Sequence, residues 1–264
     1  MRFKFFLLIA LLVSCNKKQS HAVEIIGHAG NGLNIPLSIY HSNSLEAVEL
    51  ALGTTGVSGV EIDLQLSADN ELWLLHDRKL ETETTGSGCI AESTIETLKQ
   101  VRFKTVNQEQ LVRLTDLNFD RYSGKTFYLD IRHYNGCTEE VIDQNRVIDA
   151  LTPVIELWED VTFVLSTNHK PWLNNFAAKG WTVYSDIESM AEFQELQYYN
   201  LNFDGIMIRN SAASKEDVAL IQSKNKKVIL FDIRAPKPIR QALKKQPEGI
   251  LADDIKAALI ERSN

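Results

Sequence analysis

Glu61 and Asp63 stand one residue apart in GVEIDLQLSADNELWLLHD, residues 59 to 77, and the same stretch ends on His76 and Asp77. Val60, Ile62, Leu64 and Leu66 alternate with Glu61, Asp63 and Gln65, the period-two pattern of a strand. Both carboxylates therefore leave the same face. A turn at Ala68-Asp69-Asn70, followed by the apolar run from Leu72 to Leu75, predicts a hairpin that brings His76 back toward them. Alone, such a pair of acids suits a solvated edge strand equally well, so its meaning depends on the elements that position it.

Those elements alternate. Apolar strand-like runs occur at residues 23–27, 57–63, 126–132, 161–166, 181–186, 204–209, 227–232 and 249–253. Amphipathic helix-like stretches lie between them at 44–52, 139–151, 172–178, 187–198, 215–223, 238–244 and 255–261. Strict alternation with near-continuous apolar strands indicates a parallel sheet. Eight such units in 264 residues predict an α/β fold of the (β/α)8 TIM-barrel type. No G-x-G-x-x-G follows the first strand, which argues against a dinucleotide-binding sheet. The rhythm breaks once, between about residues 64 and 125, where the hairpin, the Gly-rich ETTGSGC and helix-like pieces at 93–100 and 111–119 predict an insertion above the catalytic face.

In a barrel the C-terminal strand ends form one rim, where catalytic groups gather. His28, then Glu61 with Asp63, then Asp130 with Arg132, then Ser166, Arg209 and Asp232 fall at such ends. Three carboxylates converging on one small volume repel each other unless a cation lies between them, and hard oxygen donors suit Mg²⁺ or Ca²⁺. Two flanking imidazoles, His28 and His76, supply an acid and a base near neutral pH. That set suits metal-assisted hydrolysis of a phosphodiester. His41, His133 and His169 have no comparable setting, Trp73 in the hairpin suits either core or substrate wall, and no H-x-H or C-x-x-C zinc pattern competes.

Composition frames these residues. The chain is 44% hydrophobic and 24% charged, ordinary globular values that fit one domain over residues 23–264. Residues 1–14 carry Arg2 and Lys4 ahead of an apolar run over 5–13 too short to span a bilayer, the pattern of a signal peptide. LVSC resembles a bacterial lipobox, so Cys15 is expected to carry lipid and residues 15–22 to form a tether, giving an exported protein anchored at the cell envelope. Loss of Arg2 and Lys4 takes the formal charge from −7 to −7 − 2 = −9. An acidic chain without a basic cluster is not expected to bind nucleic acid, whereas a small phosphodiester is compatible once an ion reverses the local field. Cys89 and Cys137 remain in a disulfide-permissive compartment, either as a bond closing a loop of about 48 residues or as two buried thiols.

GHAG with His28, HSNS with Asn43, EID with Glu61 and Asp63, LLHD with His76, TTGSG at 84–88 and YLDIR with Asp130 and Arg132 together resemble the glycerophosphodiester phosphodiesterase family. The resemblance implies hydrolysis of glycerophosphodiesters to an alcohol and glycerol 3-phosphate, with a divalent ion, Mg²⁺ or Ca²⁺, on Glu61, Asp63 and Asp130. His28 and His76 would be the acid–base pair, and the attacking oxygen either water or a neighbouring glycerol hydroxyl. Asn43 either caps the following helix alone or also contacts phosphate.

The departures are specific. The family's Arg after the first His is Ala29, removing a charge-assisted phosphate contact worth about 1.5–3 kcal/mol. Ser42 stands for the motif's Glu, Asp130 for a Glu, Arg132 for a Lys, Phe231 for a Trp, and Ala252-Asp253 for the Thr-Asp near the last strand. Arg132 is expected to take over phosphate contact, with Arg78 or Arg209 also in reach. The competing reading is a barrel that keeps the metal pocket and binds a phosphodiester or lysolipid without turning it over.

Overall fold

A computed structural model describes residues 22–32 and 38–264. The signal peptide, Cys15 and the tether apart from Ala22 lie outside them. The strands are β1 (Glu24–Gly27), β2 (Gly59–Leu66), β3 (Leu72–Leu74), β4 (Thr126–Ile131), β5 (Thr162–Thr167), β6 (Thr182–Ile187), β7 (Gly205–Arg209), β8 (Lys227–Ile233) and β9 (Gly249–Ala252). All except β3 are parallel in the order β1-β9-β8-β7-β6-β5-β4-β2, and pairing of Ile26 with Gly59 and Gly27 with Val60 joins β1 to β2. The result is a closed eight-stranded (β/α)8 barrel, with β3 an antiparallel appendage on β2. Gly59, which pairs on both sides, is required by its other neighbour, β4: a Cβ there would meet the Thr126 carbonyl oxygen at 2.0 Å.

The alternation in the sequence sorts side chains between two cores. Val60, Ile62, Leu64 and Leu66 point outward into the main core beneath the helices. Ile26, Tyr128, Val164, Tyr184, Met207, Ile229 and Leu251 plug the barrel interior. A layer of polar groups above that plug is therefore held on a packed floor.

The outer helices are α1 (Leu45–Gly53), α4 (Gln144–Leu157), α5 (Lys170–Ala178), α6 (Met190–Tyr198), α7 (Lys215–Ser223), α8 (Pro236–Lys245) and α9 (Ile255–Ser263), with the single turns α2 (Leu80–Glu83) and α3 (Ile95–Leu98) in the insertion. Three helical expectations are corrected. Residues 139–143 are not helical: Tyr134 bridges to Val141, Glu139 has φ +63°, and α4 starts only where Asp143 caps it. Residues 111–119 are mostly extended or 3₁₀, because the Val112 carbonyl accepts from Leu74 N–H and Trp73 bridges to Arg113, completing the outer edge of β3. The helix over 93–100 shrinks to the one turn of α3.

The insertion has its own apolar centre, in which Trp73 is fully buried with Leu75, Leu80, Ile90, Leu98, Val101, Phe103 and Leu111, so Trp73 is core and not substrate wall. Cys89 and Cys137 form a disulfide with their Cα atoms 5.7 Å apart, tying the insertion to the loop after β4.

Candidate active site

Gly27 ends β1 where a Cβ would lie 2.0 Å from the Gly30 carbonyl oxygen, so the chain turns at once and His28 enters the rim. Ala29 follows with φ +46° and donates its N–H to Glu61 Oε2 at 2.9 Å. On β2, Glu61 and Asp63 lie over the interior plug, and β4 sets Asp130 in register beside Asp63. Arg132 follows with its N–H on the Leu64 carbonyl. β3 then returns: Leu75 N–H donates to the Asp63 carbonyl, and Gln65 donates to the carbonyls of both Leu75 and Asp77, which brackets His76 at the mouth.

Oxygens of Glu61, Asp63 and Asp130 all lie within 4.8 Å of one another. Asp63 receives Asn43 Nδ2 at 2.7 Å, while its N–H donates to Asn43 Oδ1 at 3.0 Å. Asn43 is therefore not the helix cap; Ser44 accepts from Ala47 N–H and caps α1. The Arg132 guanidinium is bonded to Asp63 and lies 3.3 Å from Asp130. It lines the cavity, but its contacts here are to acids.

One guanidinium does not balance two buried acids and a third, Asp130, that is partly buried. Burial, then the charges of Asp63 and Asp130, push the Glu61 carboxyl well above the usual range. Burial also raises Asp130 despite Arg132. For Asp63 burial acts upward, but Arg132, His76 and Asn43 outweigh it and hold that carboxyl low. Such a set fits a hard divalent cation, which favours the ionised form of every ligand at once.

Each imidazole has its own carboxylate. His28 Nδ1 is 2.9 Å from Asp253 Oδ1, with Nε2 3.9 Å from Glu61 Oε2. His76 Nδ1 is 2.9 Å from Asp77 Oδ1. Burial would lower His76, but Asp63 and Asp77 outweigh it and the net shift is upward. Between the two rings opens a cavity of about 390 Å³ that continues past Ser166, Asp186 and Glu188 to Arg209, Phe231, Asp232 and Arg234.

His28, Glu61, Asp63, His76, Asp130 and Arg132 all line this cavity, and Asn43 reaches it through Asp63. Arg209 lines the cavity too, bonded to Glu188 and near Asp232, whereas Arg78 pairs with Glu139 and stacks on Tyr134 outside it. Sequence reasoning missed Gln65 and Asp186. Asp186 had a signal, since it ends its strand as Asp130 and Asp232 end theirs; Gln65 had none beyond its place on the face shared with Glu61 and Asp63.

A closed (β/α)8 barrel with a carboxylate triad between two braced imidazoles defines a class: barrels that gather their ionisable groups at the C-terminal strand ends. Within that class, the model of the Glycerophosphoryl diester phosphodiesterase family matches residues 28–257, and the chain belongs to this family. A glycerophosphodiester phosphodiesterase of Caldanaerobacter subterraneus is 31% identical over 77 residues, 29% of each chain, and glycerophosphodiester phosphodiesterase 1 of Bos taurus is 31% identical over 84 residues, 32% of this chain and 24% of its own. The aligned stretch thus spans under a third of these curated relatives. Among solved structures, a phosphodiesterase from Oleispira antarctica in complex with the product sn-glycerol-3-phosphate superposes with a TM-score of 0.77 at 21% identity, covering 91% of this chain and 97% of that one. A glycerophosphodiester phosphodiesterase from Thermotoga maritima gives 0.70 at 18% identity, covering 92% and 99%. At that identity the likeness is one of fold.

Proposed function

We propose that this protein hydrolyses glycerophosphodiesters to an alcohol and glycerol 3-phosphate. The observation that carries the reading is the convergence of Glu61, Asp63 and Asp130 within 4.8 Å of one another, between two imidazoles that each contact a carboxylate. Family membership supports it, as does the glycerol 3-phosphate bound by the Oleispira protein of the same fold.

Glu61, Asp63 and Asp130 would hold Mg²⁺ or Ca²⁺, which when bound supplies Lewis-acid stabilisation of charge on phosphate oxygens. The chain's own residues do the rest. Asn43 fixes the Asp63 carboxylate through two hydrogen bonds, and Ala29 N–H fixes that of Glu61. Asp253 orients His28 through Nδ1, leaving Nε2 as the atom that exchanges a proton in the cavity. Asp77 does the same for His76. One imidazole takes the proton of the attacking oxygen and the other gives one to the departing alkoxide. Arg132, positioned by Asp63 and Asp130 at the cavity wall, would offer its guanidinium to the phosphate. The leader and Cys15 further suggest an exported, lipid-anchored enzyme.

The test is release of glycerol 3-phosphate from glycerophosphocholine and from glycerophosphoglycerol, with Mg²⁺, with Ca²⁺ and with chelator. Turnover that needs a divalent ion, and that falls by about 10²–10⁴ in both His28→Ala and His76→Ala, is expected. Tight diester binding without turnover would instead identify a binding barrel.

A further inference from the structure

The cavity continues beyond the triad to the ends of β5 to β8, and that half presents polar atoms which the proposed hydrolysis leaves unused. Ser166, at the end of β5, is fully buried, and its Oγ has no hydrogen-bond partner among the described residues. On the next strand Tyr184 is in register with Ser166, and Asp186 lies two residues further on. Val164 and Tyr184 belong to the interior plug, so period-two alternation directs Ser166 and Asp186 into the same space one layer higher. Asp186 Oδ1 is sealed from solvent and, like Ser166 Oγ, accepts no hydrogen bond among the described residues.

Charge around this pair is lopsided. Arg209 is held between Glu188 at 2.9 Å and Asp232 at 3.4 Å, and Arg234 between Asp232 at 3.1 Å and Asp253 at 3.6 Å. Arg132, the third arginine of the cavity, is held by Asp63 and Asp130, so all three are spent on other acids, and no Lys, Arg or His nitrogen among the described residues lies within ion-pair distance of Asp186. Nor is Asp186 one of the three acids gathered within 4.8 Å of one another. Burial, and then the charge of Asp130, push its carboxyl well above the ordinary range, with Arg132 and Arg209 acting against that rise from a distance.

A buried carboxylate oxygen and a buried hydroxyl oxygen, both lacking donors, fit a ligand group that is positively charged and carries several N–H bonds. A primary ammonium meets both demands. A trimethylammonium carries the charge but has no N–H to give, and a neutral hydroxyl has one donor and no charge. We infer that Ser166 and Asp186 form a subsite for a substrate alcohol bearing a primary ammonium, and that this pair sets the preference of the enzyme for such a headgroup over its N-trimethyl analogue. The inference rests on the hydrolase reading above.

The measurement is kcat/KM of the full chain, with divalent ion, for glycerophosphoethanolamine, glycerophosphocholine and glycerophosphoglycerol. The wild type is expected to prefer glycerophosphoethanolamine over glycerophosphocholine by at least about tenfold, since a site built for hydrogen bonds rejects the ligand that lacks them. Asp186→Asn, which keeps the shape and removes the group that can ionise against an ammonium, is expected to bring that ratio close to one, and Ser166→Ala to lower it by a smaller factor. A wild-type ratio near one, or a ratio that Asp186→Asn leaves in place, overturns the subsite. Turnover of glycerophosphoglycerol with neither of the other two also overturns it while leaving the hydrolase reading standing. Absence of turnover on all three diesters removes the hydrolase reading itself, and the subsite with it.

Discussion

His28 Nδ1 lies 2.9 Å from Asp253 Oδ1, although 225 residues separate the two. The first and last strands of the barrel are hydrogen-bonded neighbours, Gly27 pairing with Ala252, so each delivers its next residue to the same point of the rim. His28 is 15% exposed and Asp253 only 3%, which leaves the imidazole Nε2 as the open edge of the pair.

Asp253→Asn is expected to keep the fold and to lower kcat by about 10–100-fold, because an amide no longer fixes the ring orientation and the tautomer with Nε2 free. Steady-state kinetics with circular dichroism of the variant check it. A variant with wild-type kcat would show that Asp253 serves closure of the barrel alone.

Glu83 gives a pH prediction. Burial, then the charge of Asp77, push its carboxyl up to about 7, with His41 3.9 Å away. The folded state therefore holds this proton more tightly than the unfolded chain. Its contribution is most favourable below about pH 4.5 and is lost as pH rises through about 7. Glu83→Gln is expected to gain about 1–3 kcal/mol over wild type at pH 8 and to show no gain at pH 4. Denaturant melts at the two pH values decide it, and an equal effect at both would contradict the assignment.

Glu61, Asp63 and Asp130 repel in the absence of an ion. Millimolar Mg²⁺ or Ca²⁺ is expected to raise the melting temperature of the wild type, and Asp63→Asn to abolish that rise. Arg132→Ala should be destabilised in chelator by about 3–5 kcal/mol, since it leaves buried acids without their cation, and should recover part of that loss when the ion is added. Thermal melts with and without chelator provide the readout.

The Cys89–Cys137 bond closes a 48-residue separation. Replacing both residues by Ser is expected to cost up to about 4 kcal/mol in the chain-entropy description. The loss should appear in denaturant melts, and adding reductant to wild type should reproduce it. Because Gln65 and Arg132 hold their sites from the barrel strands, the metal-dependent stabilisation is expected to survive in the variant.

Local pattern by itself determined the barrel, its strand boundaries to within a few residues, and the polar positions at most strand ends. Strand period and apolar continuity are carried by consecutive residues and need no distant partner to be read. Lys215–Ser223 falls where periodicity puts it, with Ser214 and Asp217 closing a capping box. The helix expected from residue 139 failed because a long-range bridge, Tyr134 to Val141, claimed that backbone.

Only the tertiary structure decided who partners whom. Closure of the sheet chose Asp253 for His28, the register of β2 and β4 chose Arg132 for Asp63, and packing of the insertion joined Cys89 to Cys137. Asp186 became conspicuous only once the neighbouring acids were seen to hold all three arginines. Such pairings depend on distances between residues remote in the chain, and a residue's type limits its possible partners without selecting one.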